Sequence, residues 1–484
     1  MIQLVSVNVV NESIFDVIIL VSDGVKSLSL LEGKYNEIRL AVENFSKICC
    51  SLDEGNDWLI PSEKIPAKRL IYSSTGSIHG DFDDVRKYMK AGIAAGKRFL
   101  MTGARSPLLI TLPTERFPAA QICSAIGFLH SLYTPLLNRE KIENFVEKAD
   151  LIGILEFKKC QKIENFVPYG SLDDFLQGIQ SSFNLCRDIG DGDPQRMSPS
   201  RVVEYILKEF KDSSIKINVI ENKDQILKNY PLMAAVSRSA NNIEEHRARL
   251  IWLEYIGEGE ITETLFIVGK GVTIDTGGAN LKVGTSMYGM SRDKYGSAVL
   301  ADAEGRLAMA DALTEMKELV RRALKARNPH LMTIATLTGH VVLSYGHCSA
   351  AMDNGPARAV NYAEQLKQTG DVFGQPVEVS RLFSEDFAFH SSDVQTAQLK
   401  QSDIGPSVQT LRGHQGPAAF LICASGLSEC GLDSAHPIKY THLDIGHVMG
   451  AYPKCSLPSP LLTLIAHHIL PKTKFQEWEV KIIS

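Results

Sequence analysis

The sequence lacks the features of a membrane or secreted protein. It contains no apolar run of the roughly 18 to 20 residues that span a bilayer. Its first residues, MIQLVSVNVVNESIF, do not join a basic segment to a long apolar one, as a secretion signal does. Its nine cysteines are scattered, without a CxxC pair or zinc-finger spacing, which is typical of reduced thiols. We therefore expect no membrane partner and a cytoplasmic location.

An excess of positive charge is also absent. The 51 lysines and arginines are outnumbered by 56 acidic residues, and the net charge is −5. Proteins that bind nucleic acid rely on a basic field, so we expect no nucleic-acid partner. No biased or repetitive tract is present, and 44% hydrophobic residues are typical of a globular protein. Because a chain of 484 residues exceeds one ordinary core, we predict two domains.

Short apolar runs alternate with helical patterns, which predicts an α/β fold. The predicted strands are Phe15–Val21, Leu70–Tyr72, Pro107–Leu112, Lys216–Ile220, Ala248–Tyr255, Thr264–Val268 and Leu331–Ala335. We predict a smaller N-terminal α/β domain at residues 1–170 and a linker helix and turn at 171–197. A C-terminal α/β domain with a mixed, mainly parallel sheet follows at 198–484. Functional groups in such sheets tend to lie just past the carboxyl ends of the strands.

The first segment that carries chemistry is TLFIVGKGVTIDTGGANLKVG. An apolar strand runs into a glycine-rich loop that contains Lys270, Asp275 and Lys282. Asp275 alone could equally be a plain turn residue. A phosphate-binding loop is the weaker interpretation, because the spacing Gly-x-x-x-x-Gly-Lys-Ser/Thr is missing.

The second such segment is GMSRDKYGSAVLADAEGRLAMADAL, which contains Asp293, Asp302, Glu304 and Arg306. Asp302 and Glu304 share one side of an extended loop, so both could reach one cation. The alternative is that they form the acidic first turn of the next helix, where the helix dipole favours negative charge. For Arg306 the plain alternative is an ordinary ion pair.

Five motifs together resemble the leucyl aminopeptidase family (peptidase family M17, cytosol aminopeptidases). They are VGKGVTIDTGG, MSRDKYG, DAEGRL, ATLTG at 335–339 and HLDIG at 442–446, in the family's order. The resemblance covers the whole chain and is strongest from about Ser198 to Tyr452. LRGHQGPAAFL at 411–421 and DSAHPIKYTHLDIG resemble an invertebrate branch of the family. The resemblance implies a two-domain α/β hydrolase that removes N-terminal amino acids from peptides, and a homohexamer.

The resemblance also implies two divalent metal ions per chain, Zn²⁺ or Mn²⁺. Asp275, Asp302 and Glu304 would bind one ion. Lys270, Asp275, Asp293 and Glu304 would bind the other. Carboxylate-rich sites suit these ions, and two adjacent ions can activate a water and polarise a peptide carbonyl. A lysine ligand must be neutral.

Roles for further residues are likewise implied by the resemblance. Lys282 would stabilise the oxyanion of the tetrahedral intermediate, and Arg306 would hold a bicarbonate ion that acts as general base. The free amine of the substrate would bind beside Asp293, which explains exopeptidase action. The pocket for the N-terminal side chain would be lined by Met290, Thr336, Leu337 and Gly339.

One stretch of the family pattern is missing between Asp293 and Asp302. Only nine positions separate these residues, and the shortfall of about 50 residues exceeds a complete crossover unit of a parallel sheet. Three explanations remain open: a transcript that skips an exon, a genuinely shortened enzyme, or a non-catalytic homologue that keeps the oligomeric scaffold. A nucleotide-dependent transferase built on the Lys270 loop ranks below these.

Overall fold

The computed structural model describes residues 2–7, 14–155, 172–277, 281–296, 298–301, 303–322, 326–392, 394–402 and 405–472. The chain forms two compact units. The first consists of Met1–Asn184, Gln368–Pro376 and Leu461–Ser484, and the second of Leu185–Lys367 and Val377–Pro460. The division between the units falls within the helix Leu172–Gly190. The predicted domain limits at 170 and 198 stay a prediction.

The first unit is built on a six-stranded sheet. Its strands are β1 (Gln3–Val7), β2 (Val17–Ser22), β3 (Asp57–Pro61), β4 (Arg69–Ser74), β5 (Pro107–Thr111) and β6 (Leu151–Leu155). They lie in the order β1-β6-β5-β2-β4-β3, and every pair is parallel except β3 with β4. All six residues of β2 are buried, as expected of a central strand covered on both faces.

The helices of the first unit alternate with these strands. They are α1 (Asn36–Ser46), α2 (Arg86–Thr102), α3 (Ala120–Leu132), α4 (Leu136–Lys141) and the first part of α5 (Leu172–Gly190). The end of α12 (Tyr362–Phe373) and α15 (Leu461–His468) also belong to this unit. No helix among the described residues is both long and apolar enough to cross a membrane.

The second unit contains a seven-stranded sheet and a separate antiparallel pair. The pair is β7 (Lys216–Ile220) with β8 (Leu250–Glu254). The sheet strands are β9 (Leu265–Gly269), β10 (Tyr295–Gly296), β11 (Ala298–Ala301), β12 (His330–Thr336), β13 (Ser349–Asp353), β14 (Val377–Val379) and β15 (Lys439–Asp444). The order is β10-β11-β12-β15-β13-β14, and β9 also pairs with β12. Only β13 with β15 is antiparallel among these pairs.

The remaining helices pack around this sheet. They are α6 (Pro199–Glu209), α7 (Lys223–Asn229), α8 (Pro231–Val236), α9 (Ala303–Arg322), α10 (Gly339–Tyr345), α11 (Gly355–Ala359), α13 (Ser384–Ala388) and α14 (Gln415–Ala424). Met309, Leu313 and Met316 recur at helical spacing on α9 and pack into the core beside Leu331 and Ala335 of β12. The predicted α/β class with mainly parallel sheets is confirmed.

The arrangement along β12 determines where the loops meet. One edge of β12 pairs with β15 over residues 330–335. On its other edge, residues 330–334 pair with β9 and residues 335–336 pair with β11. Because a strand has only two edges, β9 and β11 lie one after the other along the same edge. The segments that follow β9, β11 and β12 therefore come together at the carboxyl end of β12.

Candidate metal centre

Lys270 follows the last residue of β9 and enters the interior of the second unit. Its side chain is fully buried, and its Nζ donates a hydrogen bond of 3.3 Å to Asp293 Oδ2. The stem of Lys270 passes against Gly305, where an added Cβ would lie 2.1 Å from Lys270 Cδ. The lysine side chain therefore occupies space that any side chain at position 305 would fill.

Asp275 lies in the loop after β9 and is buried. Its Oδ1 accepts a hydrogen bond of 2.8 Å from the Gly277 backbone N–H, and Lys282 Nζ donates to its Oδ2. The Lys282 backbone N–H also donates to Thr276 O at 2.9 Å, which closes the loop. Asp275 thus makes the hydrogen bond of a turn residue and also carries a lysine partner.

Asp293 lies on a short 3₁₀ helix, Met290–Lys294, and is buried. Thr336 Oγ1, at the end of β12, is 3.4 Å from Asp293 Oδ1 and donates to it. The carboxylate therefore lies between Lys270 on one side and Thr336 on the other.

Glu304 completes a group of three carboxylates. It lies in the first turn of α9, where the helix dipole also favours its charge. Asp275, Asp293 and Glu304 each offer one oxygen, and these three oxygens all lie within 4.8 Å of one another. The three residues come from a loop, a 3₁₀ helix and an α-helix, so the group is formed by the tertiary fold. It brings together three of the five predicted metal ligands.

The charges of this group favour a cation. Three carboxylates so close together repel one another strongly where water is scarce. Lys270 and Lys282 each contact one of them and offset part of that repulsion. A bound divalent ion would offset the rest, and oxygen-rich donor sets suit Mg²⁺, Mn²⁺ or Zn²⁺. The residues present therefore fit a metal ion.

Two other predicted site residues belong to the DAEGRL motif that contains Glu304. Asp302 lies outside the described residues. Arg306, two residues after Glu304, is buried, and its Nη1 donates a hydrogen bond of 3.0 Å to Gln401 O. A backbone carbonyl is thus one partner of this guanidinium. Its predicted role toward bicarbonate stays a prediction.

The four predicted pocket residues lie near these ligands. Met290 Sδ is 3.3 Å from Lys282 Nζ, and Thr336 contacts Asp293 as described. The Gly339 N–H, which is exposed, donates to Ser407 Oγ at 3.1 Å. The Leu337 N–H donates a hydrogen bond of 3.2 Å to a buried carboxylate at the end of β15.

That carboxylate belongs to Asp444, which sequence reasoning overlooked. Asp444 Oδ2 accepts from Thr338 Oγ1 at 2.7 Å, and Oδ1 accepts from Leu337 and Gly446 N–H groups. Complete burial raises the pKa of Asp444 to about 7. These hydrogen bonds hold the segment 337–338 beside the end of β15. The available signal was an acidic residue at the end of a strand, within HLDIG.

A family model for the catalytic domain of the cytosol aminopeptidase family matches residues 184–301 and 300–457. This chain belongs to that family. It is 43% identical over 523 aligned positions to the Caenorhabditis elegans protein named "Putative aminopeptidase W07G4.4", covering 97% of this chain and 98% of that protein. The predicted membership of the leucyl aminopeptidase family is confirmed.

Two solved structures share the fold at low sequence identity. The leucyl aminopeptidase of Leishmania major, in complex with actinonin, superposes with a TM-score of 0.69 at 15% identity, over 96% of this chain and 94% of that one. The bottromycin maturation enzyme BotP, in complex with Mn, gives a TM-score of 0.66 at 18% identity, over 93% and 98%. At such identities these likenesses show the fold alone.

Two observations bear on the stretch predicted to be missing. The segments matched by the family model meet at residues 300 and 301. The alignment with the worm protein spans 523 positions, of which this chain fills about 470, so about 50 positions have no residue of this chain. The first observation lies at β11, and the second gives the number of unfilled positions but not their place along the chain. The prediction of a stretch missing between Asp293 and Asp302, and its cause, stay a prediction.

Proposed function

We propose that the protein is a metal-dependent aminopeptidase that releases N-terminal amino acids from peptides. The observation that carries the proposal is the group Asp275, Asp293 and Glu304, whose oxygens lie within 4.8 Å of one another in a member of the cytosol aminopeptidase family. Two lysines adjoin the same carboxylates. A group of this kind at the carboxyl ends of parallel strands is where an α/β fold usually carries its active site.

The proposed ligands are those of the family resemblance. Asp275, Asp302 and Glu304 would hold one ion, and Lys270, Asp275, Asp293 and Glu304 would hold the second. The structural similarity to BotP, which was solved in complex with Mn, supports Mn²⁺, and Zn²⁺ suits the same donors. Two such ions would supply an activated water and polarise the carbonyl of the scissile peptide bond.

The chain's own residues supply the remaining electrostatics. Lys282 donates to Asp275, so its ammonium lies at the edge of the carboxylate group, where a substrate carbonyl would develop negative charge. We assign it the stabilisation of that charge. A preorganised donor of this kind is typically worth 10² to 10³ in turnover, about 3 to 4 kcal/mol. Arg306 is assigned to a bicarbonate ion, which would receive the proton from the attacking water.

The pocket residues Met290, Thr336, Leu337 and Gly339 are assigned to the N-terminal side chain of the peptide. The free α-amine would bind beside Asp293, so only a chain end could be accommodated. Asp444 fixes the backbone at Leu337 by accepting a hydrogen bond from its N–H. This arrangement supports an exopeptidase.

The assembly and location are also proposals. Family membership supports a homohexamer and a cytoplasmic protein whose partner is a peptide substrate. Light scattering after gel filtration measures the assembly directly. A monomer at micromolar concentration would contradict the hexamer without touching the proposed chemistry.

The decisive experiment is hydrolysis of leucyl-p-nitroanilide by the purified protein in Mn²⁺ or Zn²⁺, with Asp275→Ala as the control. We expect turnover by the wild type alone and two ions bound per chain. Two bound ions without turnover would favour the non-catalytic homologue. No bound ion and no turnover above the Asp275→Ala background would refute the proposed function.

A further inference from the structure

Arg292 lies beside the metal-binding turn but faces away from the carboxylates. It precedes Asp293 on the 3₁₀ helix, and it is buried. Its Nε lies 2.8 Å from Asp191 Oδ1 in an ion pair, and its Nη1 donates to Gly450 O at 3.1 Å. Its Nη2 donates to Lys454 O. One guanidinium thus joins the turn to an acidic residue and to the segment 450–454.

The same partners are tied to one another. Asp191 Oδ2 accepts hydrogen bonds from the Ser456 N–H at 2.9 Å and from Ser456 Oγ at 2.8 Å. The Tyr452 ring lies 5.2 Å from the Arg292 guanidinium carbon, within the range of a cation–π contact. Tyr288 packs edge-on against Tyr452, and its hydroxyl donates a hydrogen bond of 3.2 Å to Tyr452 O. The segment 450–456 is therefore bound to the turn by a closed polar network.

Two hydrogen bonds of the Asp293 carboxylate are long. Its hydrogen bonds with Lys270 and Thr336 measure 3.3 and 3.4 Å, longer than the usual 2.9 to 3.0 Å. The charged contacts of Arg292, one residue earlier, are shorter. Arg292 and Asp293 are consecutive residues of one 3₁₀ helix, so they cannot move independently. The contacts of Arg292 therefore also restrict the position of Asp293.

We propose that Arg292 is a positioning residue, which fixes the Asp293 carboxylate for metal binding by anchoring its turn to Asp191 and to the segment 450–456. The proposal rests on the proposed metallopeptidase function. A planar guanidinium can bind three partners at once, whereas a lysine ammonium at the same position keeps the charge but not the fork. Residues that orient metal ligands typically contribute 10- to 100-fold to metal affinity.

The test is the affinity for Mn²⁺, measured by calorimetry on the full-length metal-free chain. Arg292→Lys should raise the Kd for Mn²⁺ 10- to 100-fold and leave the circular dichroism spectrum unchanged. Arg69→Lys is the matched control in the first unit. Arg69 also joins two carbonyl oxygens, Asp16 O at 3.0 Å and Thr102 O at 3.1 Å. It should leave the Kd unchanged.

A double-mutant cycle with Asp191→Asn separates positioning from general destabilisation. If Arg292 acts through Asp191, the combined loss of affinity is smaller than the product of the two single losses. Equal Kd values for wild type and Arg292→Lys, or fully multiplicative losses, would overturn the proposal and leave the metallopeptidase function intact. A wild type that binds neither Mn²⁺ nor Zn²⁺ would overturn both.

Discussion

A side chain at Gly305 would displace Lys270, one of the proposed metal ligands. It lies between Glu304 and Arg306 near the start of α9. A Cβ built there would lie 2.1 Å from Lys270 Cδ, 2.4 Å from Cε and 2.5 Å from Nζ. Because the Lys270 side chain is fully buried, it has no solvent-filled space into which to move. Gly305→Ala must therefore displace the lysine, the helix or both.

The size of the effect follows from these distances. Ordinary contact between such atoms needs at least about 3.5 Å, so a displacement of roughly 1 Å or more is required. Overpacking of this kind costs about 1 to 3 kcal/mol. Alanine returns about 1 kcal/mol through its helix propensity. We expect the free energy of unfolding to fall by only about 0 to 2 kcal/mol.

The effect on function should be far larger. Metal ligands must be held within about 0.5 Å, and a misplacement of about 1 Å can reduce turnover about 100-fold. We expect Gly305→Ala to weaken Mn²⁺ binding at least about tenfold and to reduce hydrolysis of leucyl-p-nitroanilide about 100-fold. Calorimetry and steady-state kinetics measure the two effects, and urea denaturation measures stability.

Gly178→Ala is the matched control. Gly178 is also helical, in α5, but nothing lies within 4 Å of a Cβ built there. This change should stabilise the protein by about 0.5 to 1 kcal/mol and leave Mn²⁺ affinity and turnover unchanged. If Gly305→Ala instead bound Mn²⁺ with wild-type affinity and kept full turnover, the placement of Lys270 against α9 would be wrong.

Three further predictions follow from the site and its support. Lys282→Met should reduce kcat by 10² to 10³ without weakening Mn²⁺ binding, since the lysine acts on the substrate oxyanion and its removal leaves the carboxylates more negative; equal losses of kcat and Mn²⁺ affinity would contradict that role. Burial lowers the pKa of His442 to about 3, so it stays neutral in the fold while the unfolded chain takes up a proton below its ordinary pKa of about 6.5. The contribution of neutral His442 to the free energy of unfolding is complete above pH 6.5 and is lost as the pH falls toward 3. About 2 kcal/mol of it is lost by pH 5. Urea titrations at pH 5 and 7.5 should show a smaller pH dependence for His442→Gln than for wild type. Leu313→Ala, in the core of α9, should cost about 2 to 5 kcal/mol in urea denaturation; a loss under 1 kcal/mol would indicate a loosely packed helix.

The strands that position the site follow from local apolar patterns. The predicted strand Thr264–Val268 is observed as Leu265–Gly269, and Leu331–Ala335 as His330–Thr336. Both are short apolar runs bounded by polar or glycine residues, so the pattern fixes them to within a residue or two. Lys270, directly after β9, and Thr336, at the end of β12, are thereby brought to the same end of the sheet.

The contacts among side chains could not be predicted in this way. Asp191 and Arg292 are about one hundred positions apart, and neither motif indicates that they meet. The same holds for Asp444 and the Leu337 N–H, which pair across two neighbouring strands. Such contacts depend on the order of the strands in the sheet, and local patterns carry no information on that order.

The short segment before α9 raises the question of what fixes Glu304. Among the described residues, β11 pairs with β12 through Leu300 and Ala301, and each hydrogen bond of such a pairing contributes about 0.5 to 1.5 kcal/mol. In contrast, the buried side chains of Met309 and Leu313 pack α9 into the core beneath β12, and each contributes about 1.5 to 3 kcal/mol. Packing of α9, more than the pairing of β11, therefore sets the position of its first turn. A chain with four residues in β11 can in this way still hold Glu304 beside the other two carboxylates.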